Sequence, residues 1–508
     1  MQADAPERNS GGGLRRELKA LEALSLSVAM ISPVLALAAF AGAPAVYVGR
    51  AAPLAFILAG VGIGLIACSF IYLCRYYNNA GSAYGLAGSA LGPRSGFFAG
   101  WAMLFPYAIW GASSAAIAGY FITLVLHQSG LWTGADYWPF AVAFALINAV
   151  LATRAVRLVG RTLISIEGLS LIVMLVVVVV IVVKLVGGYH GHKVSASVFT
   201  LPHGSSIHLL ILASVFGVTS FAGFEGAASL GEETLNPRRN VPRAISLAVA
   251  GAAVLFVIVV AVISMAFGTT KADGSALAAS SGPLFALSRQ YLFPAAAYVL
   301  EIGAAVSAFS AGLANMSGAG RMIYALTRDG APRSPLTRLG RYGEPTTALM
   351  FVLVLDLAII IVLRAIGTTG LDAAFYLGTA GTLALIVAYG MVTVAAGKHM
   401  LGSLRGPRRL SAIVPAAGLA LIVYILYNEV YPAPPSPYDV FPYVVAGWLV
   451  VGAAIVAFSP GLARRLGLGL AATLAREPGV SDDASSTRRG GGQADEALVQ
   501  SGAGLVDR

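Results

Sequence analysis

Long apolar stretches separated by short polar segments run through almost the whole sequence. Twelve of these stretches each hold about twenty apolar residues, which is enough for an α-helix to cross the hydrocarbon core of a membrane. We therefore predict an all-α polytopic membrane protein with about twelve transmembrane helices, placed at 21–45, 52–73, 96–126, 137–153, 163–186, 207–230, 243–267, 292–325, 346–363, 371–397, 410–428 and 439–459.

Two of the predicted spans contain residues that interrupt a helix. In the first span, Pro33 lies at mid-membrane, where it removes a backbone donor, so we expect a break near Ser32. In the sixth span, Gly223 and Gly226 flank the single carboxylate of Glu225. Irregular backbone at this depth is tolerated only inside protein or beside a wet cavity. Interrupted helices at matching positions of two halves indicate a transporter site between inverted repeats.

The span order also predicts the domain organisation. Spans one and six begin corresponding sets of five, and the repeat is inferred from this topology, without residue-level similarity between the halves. The tail after Arg476 has too few apolar residues to pack and is expected to be disordered. The predicted segments are a cytoplasmic N-terminal tail at 1–20, a first five-helix repeat at 21–186, a second at 207–397, two peripheral helices at 410–459, and a cytoplasmic, mostly disordered C-terminal tail at 460–508.

Positive charge is distributed unequally between the two sides of the predicted membrane. Only 11% of residues are charged and the net charge is +10. With the N-terminus inside, 27 of the 33 Lys and Arg residues fall on the cytoplasmic side, and the outer loops hold Arg50, Lys184, Lys193, Lys271, Arg289 and Arg364. This bias predicts that both termini are cytoplasmic in a plasma (inner) membrane protein. It also explains the positive charge without a nucleic-acid partner.

Several function classes are disfavoured by what the sequence lacks. Cys68 and Cys74 are the only cysteines, so neither a disulfide framework nor a cysteine metal site is implied. The loop histidines His190 and His192 have no carboxylate or cysteine partner nearby, which is a weak metal signal. There is no G-x-x-x-x-G-K-[ST] loop, which disfavours ATP-driven transport by this chain alone. We expect neither an enzyme nor an organic cofactor.

Three motifs, in order, resemble the amino acid–polyamine–organocation (APC) superfamily of transporters. They span about 350 residues. The first begins Asn79-Ala80-Gly81-Ser82-Ala83-Tyr84 and continues to Gly96-Phe97-Phe98-Ala99-Gly100-Trp101. The second runs from Phe221-Ala222-Gly223-Phe224-Glu225 to Glu232-Glu233-Thr234-Leu235-Asn236-Pro237-Arg238-Arg239 and Ile245. The third is Gly320-Arg321-Met322-Ile323-Tyr324-Ala325-Leu326-Thr327-Arg328-Asp329-Gly330.

This resemblance implies a leucine-transporter-like fold, with ten core helices in a 5+5 inverted repeat, two peripheral helices and transport by alternating access. In such proteins the substrate carboxylate meets free N–H groups at the break of span one, and its ammonium meets carbonyls at the break of span six, as the helix dipoles favour. Carried over to this sequence, with Tyr107 added as a gate or wall, the expected substrate-binding residues are Ser32, Pro33, Val34, Leu35, Ala36, Tyr107, Phe221, Ala222, Gly223 and Phe224.

The sequence departs from the family pattern in two places. Many members have a glycine-rich triplet in span one, where this chain has Leu35-Ala36-Leu37. The lysine that replaces a sodium ion in span five of some relatives is missing, with Ser170 near that position. The coupling ion therefore stays open between a proton and sodium. Hydroxyl oxygens suit a hard cation, and the sodium candidates are Ser170, Ser307 and Ser310.

Acidic residues inside the spans are candidates for coupling. Intramembrane ionisable groups are commonly functional, and we expect Glu225 to gain and release a proton during the cycle. Glu167 follows Arg161 closely and is expected near the cytoplasmic surface, with a partner there or solvent. Glu301 is a weaker candidate, and Asp356 a weaker one still. Opposite charges between Glu232 and Arg239 offer ion pairs within that loop that would hold an inner gate closed.

These features predict a secondary active transporter that couples the movement of a neutral amino acid to that of a proton. The named pocket side chains are mostly small or apolar, which favours the neutral side chain. An obligate exchanger and a polyamine or amine permease are the alternatives within this class. From another class, a channel would show a polar pore stripe that is not found, and a membrane sensor would bind substrate without flux. Whether the chain is a monomer or a homodimer stays open.

Overall fold

The computed structural model describes residues 14, 16–404, 406–431, 434 and 436–475, and within these residues the protein is all-α. One isolated bridge pairs Leu18 with Thr234 in parallel. The first nine α-helices are α1 (Ala20–Ile31), α2 (Pro33–Phe40), α3 (Ala45–Val48), α4 (Ala52–Leu73), α5 (Ala83–Leu91), α6 (Pro93–Gln128), α7 (Tyr137–Ala152), α8 (Val156–Val186) and α9 (Ile207–Ser220).

Nine further α-helices complete the described part of the chain. The short helices α11 and α12 connect two long ones, and α18 follows the last span. These helices are α10 (Pro237–Phe267), α11 (Lys271–Ala279), α12 (Pro283–Tyr291), α13 (Pro294–Gly330), α14 (Thr346–Ala365), α15 (Gly370–Ser403), α16 (Ile413–Val430), α17 (Phe441–Phe458) and α18 (Pro460–Ala475).

The helices confirm the predicted all-α polytopic membrane protein. Within the described residues, eleven helical segments are long and apolar enough to cross a membrane, and the sixteen-residue α7 is a shorter apolar helix at the predicted fourth span. Helix ends lie within a few residues of most predicted boundaries. The larger differences lie at the starts of α8 and α10 and at the ends of α13 and α15, which extend one turn or more beyond the predicted apolar run.

Both expected breaks are present. The backbone turns into the left-handed region at Ser32, with φ 48°, and Pro33 then begins α2. Because proline has no N–H and a fixed φ, it suits the first turn of a helix, so this residue restarts the helix that it interrupts. In the sixth span, α9 ends at Ser220, and a 3₁₀ helix begins at Phe224 after Gly223, with φ 98°.

The core of the bundle is formed around α6, against which α13 and α15 both pack extensively. Helices α16 and α17 are peripheral, since most of their apolar surface is exposed. This matches their predicted place outside the ten core helices. The division into two inverted five-helix repeats stays a prediction.

One end of the bundle carries the Leu18–Thr234 bridge, and we call it the inner end because the predicted topology places it in the cytoplasm. The opposite end is called the outer end. Helix α18 packs on the inner end of α13, where Leu466 and Leu470 are buried. The first sixteen residues of the predicted C-terminal tail thus form a helix, and residues 476–508, like residues 1–13, lie outside the described part of the chain.

Candidate functional site

A cavity of about 110 Å³ lies between the two helix breaks and extends toward the outer end. The break of span one contributes Ser32 and the first turns of α2, and the break of span six contributes Ser220 and Ala222. Helices α6, α13 and α15 close the other sides. The lining residues include Met30, Ser32, Leu35, Ala36, Phe40, Trp110, Ser113, Ser114, Ser220, Ala222, Asn315, Phe375 and Thr382.

The two breaks present opposite helix ends to this cavity. Helix α2 begins at Pro33, so the N–H groups of Val34 and Leu35 have no partner in a preceding turn of that helix; the N–H of Val34 instead donates to the carboxylate of Glu167. Helix α9 ends at Ser220, which leaves carbonyl groups of its last turn without an intrahelical partner. A helix N-terminus favours an anion, and a helix C-terminus favours a cation. The cavity is therefore suited to a zwitterion with both charges at one end.

The side chains that line the cavity carry no charge. Its polar side-chain groups are hydroxyls, the amide of Asn315 and the indole N–H of Trp110, and Ser113 Oγ donates to the carbonyl of Ala374 at 3.2 Å, which joins α6 to α15. Toward the outer end, Phe40 and Phe375 meet edge to face with ring centroids 5.8 Å apart. The remainder of a bound molecule would therefore meet an apolar and weakly polar wall with no counter-ion.

Glu225 lies beside the cavity, fully buried in the 3₁₀ segment. Tyr107 of α6 donates to Oε1 of Glu225 at 2.6 Å, and Tyr389 of α15 donates to Oε2. The Tyr389 hydroxyl also accepts from the backbone N–H of Gly223 at 3.3 Å. One carboxyl group thus links three spans, so a change in its protonation acts directly on how α6 and α15 pack against the broken helix.

Close packing of α1 against the 3₁₀ segment depends on the two glycines that flank Glu225. A Cβ at Gly223 would lie 2.5 Å from Met30 Cβ, and one at Gly226 would lie 2.7 Å from Met30 Sδ. In addition, Ser27 Oγ donates to the carbonyl of Phe224 at 2.7 Å and accepts from the N–H of Ala227 at 2.9 Å. The two broken spans are therefore joined directly beside the carboxylate.

A second buried carboxyl group, that of Glu167 in α8, is connected to the break of span one. Ser307 Oγ donates to Glu167 Oε1 at 2.8 Å, and the hydroxyls of Ser307 and Ser32 are 2.7 Å apart. Ser32 lines the cavity, so a chain of two hydroxyls leads from the cavity to the carboxylate. The expectation that Glu167 meets solvent or an interfacial partner is wrong, because the side chain is only 2% exposed.

The structure brings together some of the predicted site residues and separates others. Of the predicted substrate-binding set, Ser32, Leu35, Ala36 and Ala222 line the cavity. Tyr107 instead donates to Glu225, and the N–H of Gly223 donates to Tyr389, which also binds Glu225. The ring of Phe221 packs against Phe256, and that of Phe224 packs against Phe70. Pro33 and Val34 form the first turn of α2 and are buried.

The three sodium candidates do not share one site. Ser307 belongs to the Glu167 chain, whereas Ser170 Oγ donates to the carbonyl of Ile166 in its own helix at 3.1 Å. Ser310 is buried, and its Oγ has no hydrogen-bond partner within the described residues. The hydrogen bonds of these three hydroxyls thus differ, and the sodium site stays a prediction.

Sequence reasoning missed the cavity residues that come from other spans. Trp110, Ser113 and Ser114 of α6, Asn315 of α13, and Thr382 and Tyr389 of α15 reach the cavity or Glu225 only through tertiary packing. The available signal was a polar group within an apolar span, most clearly Asn315 and Tyr389. Such residues also occur as ordinary packing groups, so composition alone does not select them.

The other two membrane carboxylates lie away from the cavity. Glu301 accepts from Arg289 of α12 at 2.8 Å near the outer end. Asp356 is fully buried in α14 against Gly111, where a Cβ would lie 2.4 Å from Asp356 Oδ2. Neither group lines the cavity between the helix breaks.

The inner end below the cavity is closed by buried ion pairs. Arg321 of α13 binds Glu233 through two hydrogen bonds of 2.6 and 3.1 Å, and its Nη2 also lies 3.2 Å from Glu344. Arg328 pairs with Glu232 at 2.8 Å. Glu232 and Glu233, which were expected to pair within the loop up to Arg239, thus pair with α13. Burial raises the pKa of Glu344 from 4.5 to about 8, an effect that the charge of Arg321 opposes.

Comparison with known protein families decides the class of this chain. The model of the family described as "Amino acid permease" matches residues 27–430. The chain belongs to this family. It is therefore a transporter and not an enzyme, and the permease has a small-molecule substrate and a membrane environment.

Individual relatives of the permease are named as transporters. An uncharacterized transporter of Mycobacterium bovis is 25% identical over 62% of this chain and 68% of its own length. The low-affinity putrescine importer PlaP of Escherichia coli is 25% identical over 63% of this chain and 69% of its own. The vacuolar cationic amino acid transporter 4 of Arabidopsis thaliana is 25% identical over 56% of this chain and 48% of its own. These names support transport without fixing the substrate.

Proposed function

We propose that this permease is a secondary active transporter that moves neutral amino acids across the plasma membrane together with a proton. The observation that carries the proposal is that an α-helix N-terminus and an α-helix C-terminus both open into one cavity without charged side chains. The substrate carboxylate would bind at the N-terminus of α2 through the N–H of Leu35, next to the Val34 N–H that donates to Glu167. Its ammonium would bind the carbonyls at the end of α9.

The neutral side chain follows from the lining of the cavity. A second cationic group on the substrate would be desolvated in the cavity and would need a carboxylate or several carbonyls as partners. No carboxylate lines this cavity, since Glu225 is bound by two tyrosines and Glu167 lies behind Ser307. Putrescine and cationic amino acids, the substrates named for two of the relatives, fit this lining less well than a small neutral amino acid.

Proton coupling is supported by the position of Glu225. Each oxygen of the Glu225 carboxylate accepts from one tyrosine hydroxyl. When one oxygen is protonated, its tyrosine must accept the new proton instead of donating, or the side chains must rotate. Since Tyr107 and Tyr389 lie on two core helices, protonation would weaken the contact of one of them with the broken span. The proton would thereby bias the equilibrium between outer-open and inner-open states.

Glu167 is a second candidate for the proton carrier, because its hydroxyl chain reaches the cavity through Ser307 and Ser32. The two candidates predict different behaviour. A proton on Glu225 acts on span six, whereas a proton on Glu167 acts at the start of α2, where the substrate carboxylate would bind. Loss of Glu167 should therefore change substrate affinity together with coupling.

The experiment is uptake of radiolabelled amino acids and amines by the purified protein in liposomes. The panel includes alanine, leucine, lysine and putrescine, and an inward proton gradient or sodium gradient is imposed in turn. Accumulation of a neutral amino acid under the proton gradient alone is the expected result. Accumulation of lysine or putrescine in preference would overturn the substrate class, and accumulation under sodium alone would overturn the coupling ion.

Two variants and a control variant identify the residue that carries the proton. Glu225→Gln is expected to abolish proton-driven accumulation while retaining exchange of substrate between preloaded vesicles and medium. Glu167→Gln is expected to alter the apparent affinity as well. The control is Glu429→Gln on the peripheral helix α16, which removes a carboxylate far from the site. If Glu225→Gln folds and still accumulates substrate in proportion to the proton gradient, Glu225 is not the carrier.

A further inference from the structure

The largest cavity described here, about 560 Å³, lies at the outer end and is separate from the substrate cavity. It is formed where the connection between α3 and α4, the loop before α9 and the start of α11 meet. Gly49 and Gly274 pack so closely that a Cβ at Gly274 would lie 3.0 Å from Gly49 Cα. This contact fixes Arg50 beside the chain that leads into α11.

Positive side chains line this cavity without carboxylates to neutralise them. Arg50 Nη1 donates to the carbonyl of Thr269 at 2.9 Å, and Arg50 Nε is buried without a hydrogen-bond partner among the described residues. Lys271 and His203 also line the cavity. The nearest carboxylate along the chain, that of Asp273, caps its own helix by accepting from the N–H of Thr270 at 2.9 Å.

Three of the four other basic residues of the predicted outer loops have partners. Arg289 is paired with Glu301, Arg364 is paired with Asp136, and Lys184 lies 4.4 Å from the centroid of the Tyr189 ring. Arg50, Lys271 and Lys193 form no ion pair in the described part of the chain, and of these three only Arg50 and Lys271 line this cavity. Two uncompensated cations from loops 221 positions apart thus converge on one cavity.

We propose that this cavity binds a phosphate group. Phosphate oxygens would accept from the unpartnered Nε of Arg50 and from the ammonium of Lys271, and the hydroxyls of Ser205 and Ser275 offer further donors. A phospholipid headgroup of the outer leaflet and free inorganic phosphate share this chemistry. The apolar side chain of Val46 favours the lipid, because it lines the cavity and is 64% exposed, where acyl chains would lie.

The test is native mass spectrometry of the full-length purified protein during titration with phosphatidylglycerol. The cavity variant is the double substitution Arg50→Gln with Lys271→Gln. The matched control is Lys184→Gln with Lys193→Gln, which also removes two charges from the predicted outer loops. At roughly one kcal/mol per basic residue, binding of the first lipid is expected to weaken about thirtyfold in the cavity variant and to change little in the control.

Two further arms identify the source of the phosphate. Phosphatidylcholine in place of phosphatidylglycerol shows whether the anionic lipid is preferred, and added inorganic phosphate shows whether a soluble anion displaces it. Displacement by inorganic phosphate assigns the site to the free anion, and persistence assigns it to the lipid. If the double variant does not fold, Lys271→Gln alone, which leaves the Arg50–Thr269 bond intact, is expected to weaken binding about fivefold. Equal binding by wild type and a folded cavity variant would overturn the proposal.

Discussion

The inner and outer ends of this permease are closed by different physics. At the inner end, Arg321 is 2% exposed and is held between two carboxylates. At the outer end, the cavity between the helix breaks is lined by uncharged side chains and is bounded by the aromatic pair Phe40 and Phe375. The inner end is therefore sealed by buried charge, and the outer end is bounded by side chains that can separate without exposing an unpaired ion.

This difference indicates which end of the protein requires more free energy to open during transport. Removing one partner from a buried ion pair costs about 3–5 kcal/mol, whereas an exposed pair contributes about 0–1 kcal/mol. Opening the inner end requires the partners of Arg321 to separate or to move together with it. We therefore expect the inner ion pairs to hold the inner end closed in this conformation.

The largest effect is expected from Arg321→Met. This change leaves Glu233 buried without its cation and Glu344 without a hydrogen-bond donor, and the expected loss of stability is about 3–5 kcal/mol. Thermal unfolding of the purified protein measures it. The triple variant that adds Glu233→Gln and Glu344→Gln should recover most of the loss. An unchanged melting temperature in Arg321→Met alone would show that the buried network does not hold the inner end.

A second change tests the outer side of the comparison. Ala222→Leu places a larger side chain in the wall of a cavity of about 110 Å³, so substrate affinity should fall about tenfold or more. The control is Ala417→Leu on the exposed face of α16. Equilibrium binding of the best substrate in detergent is the measurement. Unchanged affinity in a folded Ala222→Leu protein would move the substrate site elsewhere.

The pH dependence of the inner end follows from Glu344. Its pKa in the folded protein is raised to about 8, so the folded protein keeps a proton that the unfolded chain releases near pH 4.5. The unfolded state then binds fewer protons between these values, and stability falls as pH rises from about 5 to 8. In Glu344→Gln, the melting temperature should therefore change less with pH over this range. A decline of equal slope in both proteins would assign the dependence to other groups.

The smallest effect is expected from Arg364→Gln at the outer end. Arg364 and Asp136 are 49% and 35% exposed, and their pair, at 2.8 Å, should contribute no more than about 1 kcal/mol. Chemical unfolding with and without added salt is the measurement. A loss comparable to that of Arg321→Met would remove the contrast between the two ends.

Much of the architecture follows from local sequence signals. Apolar runs locate the spans, and Pro33 and Gly223 locate the breaks, because the interruption is a property of the residue itself. The partners of Glu225 could not be predicted in this way. Tyr107 and Tyr389 lie 118 and 164 residues from it, and only packing of α6 and α15 brings them together.

The burial of Glu167 was also not predictable from its neighbours in the sequence. Its proximity to Arg161 in sequence indicated the membrane surface, yet α8 begins at Val156, so Glu167 is already three turns into the helix. A residue at that depth meets whichever helix lies opposite, here Ser307 of α13. The charge of a neighbour in sequence says little about depth when a helix extends beyond its apolar run.

The central claim is that a proton on Glu225 and a neutral amino acid in the cavity move together. The most direct measurement records proton influx and amino acid uptake in the same liposomes, with a pH-sensitive dye and a radiolabel. The account predicts that adding the amino acid drives protons inward in wild type, and that Glu225→Gln exchanges amino acid without proton movement. Amino acid uptake by wild type with no accompanying proton flux would contradict it.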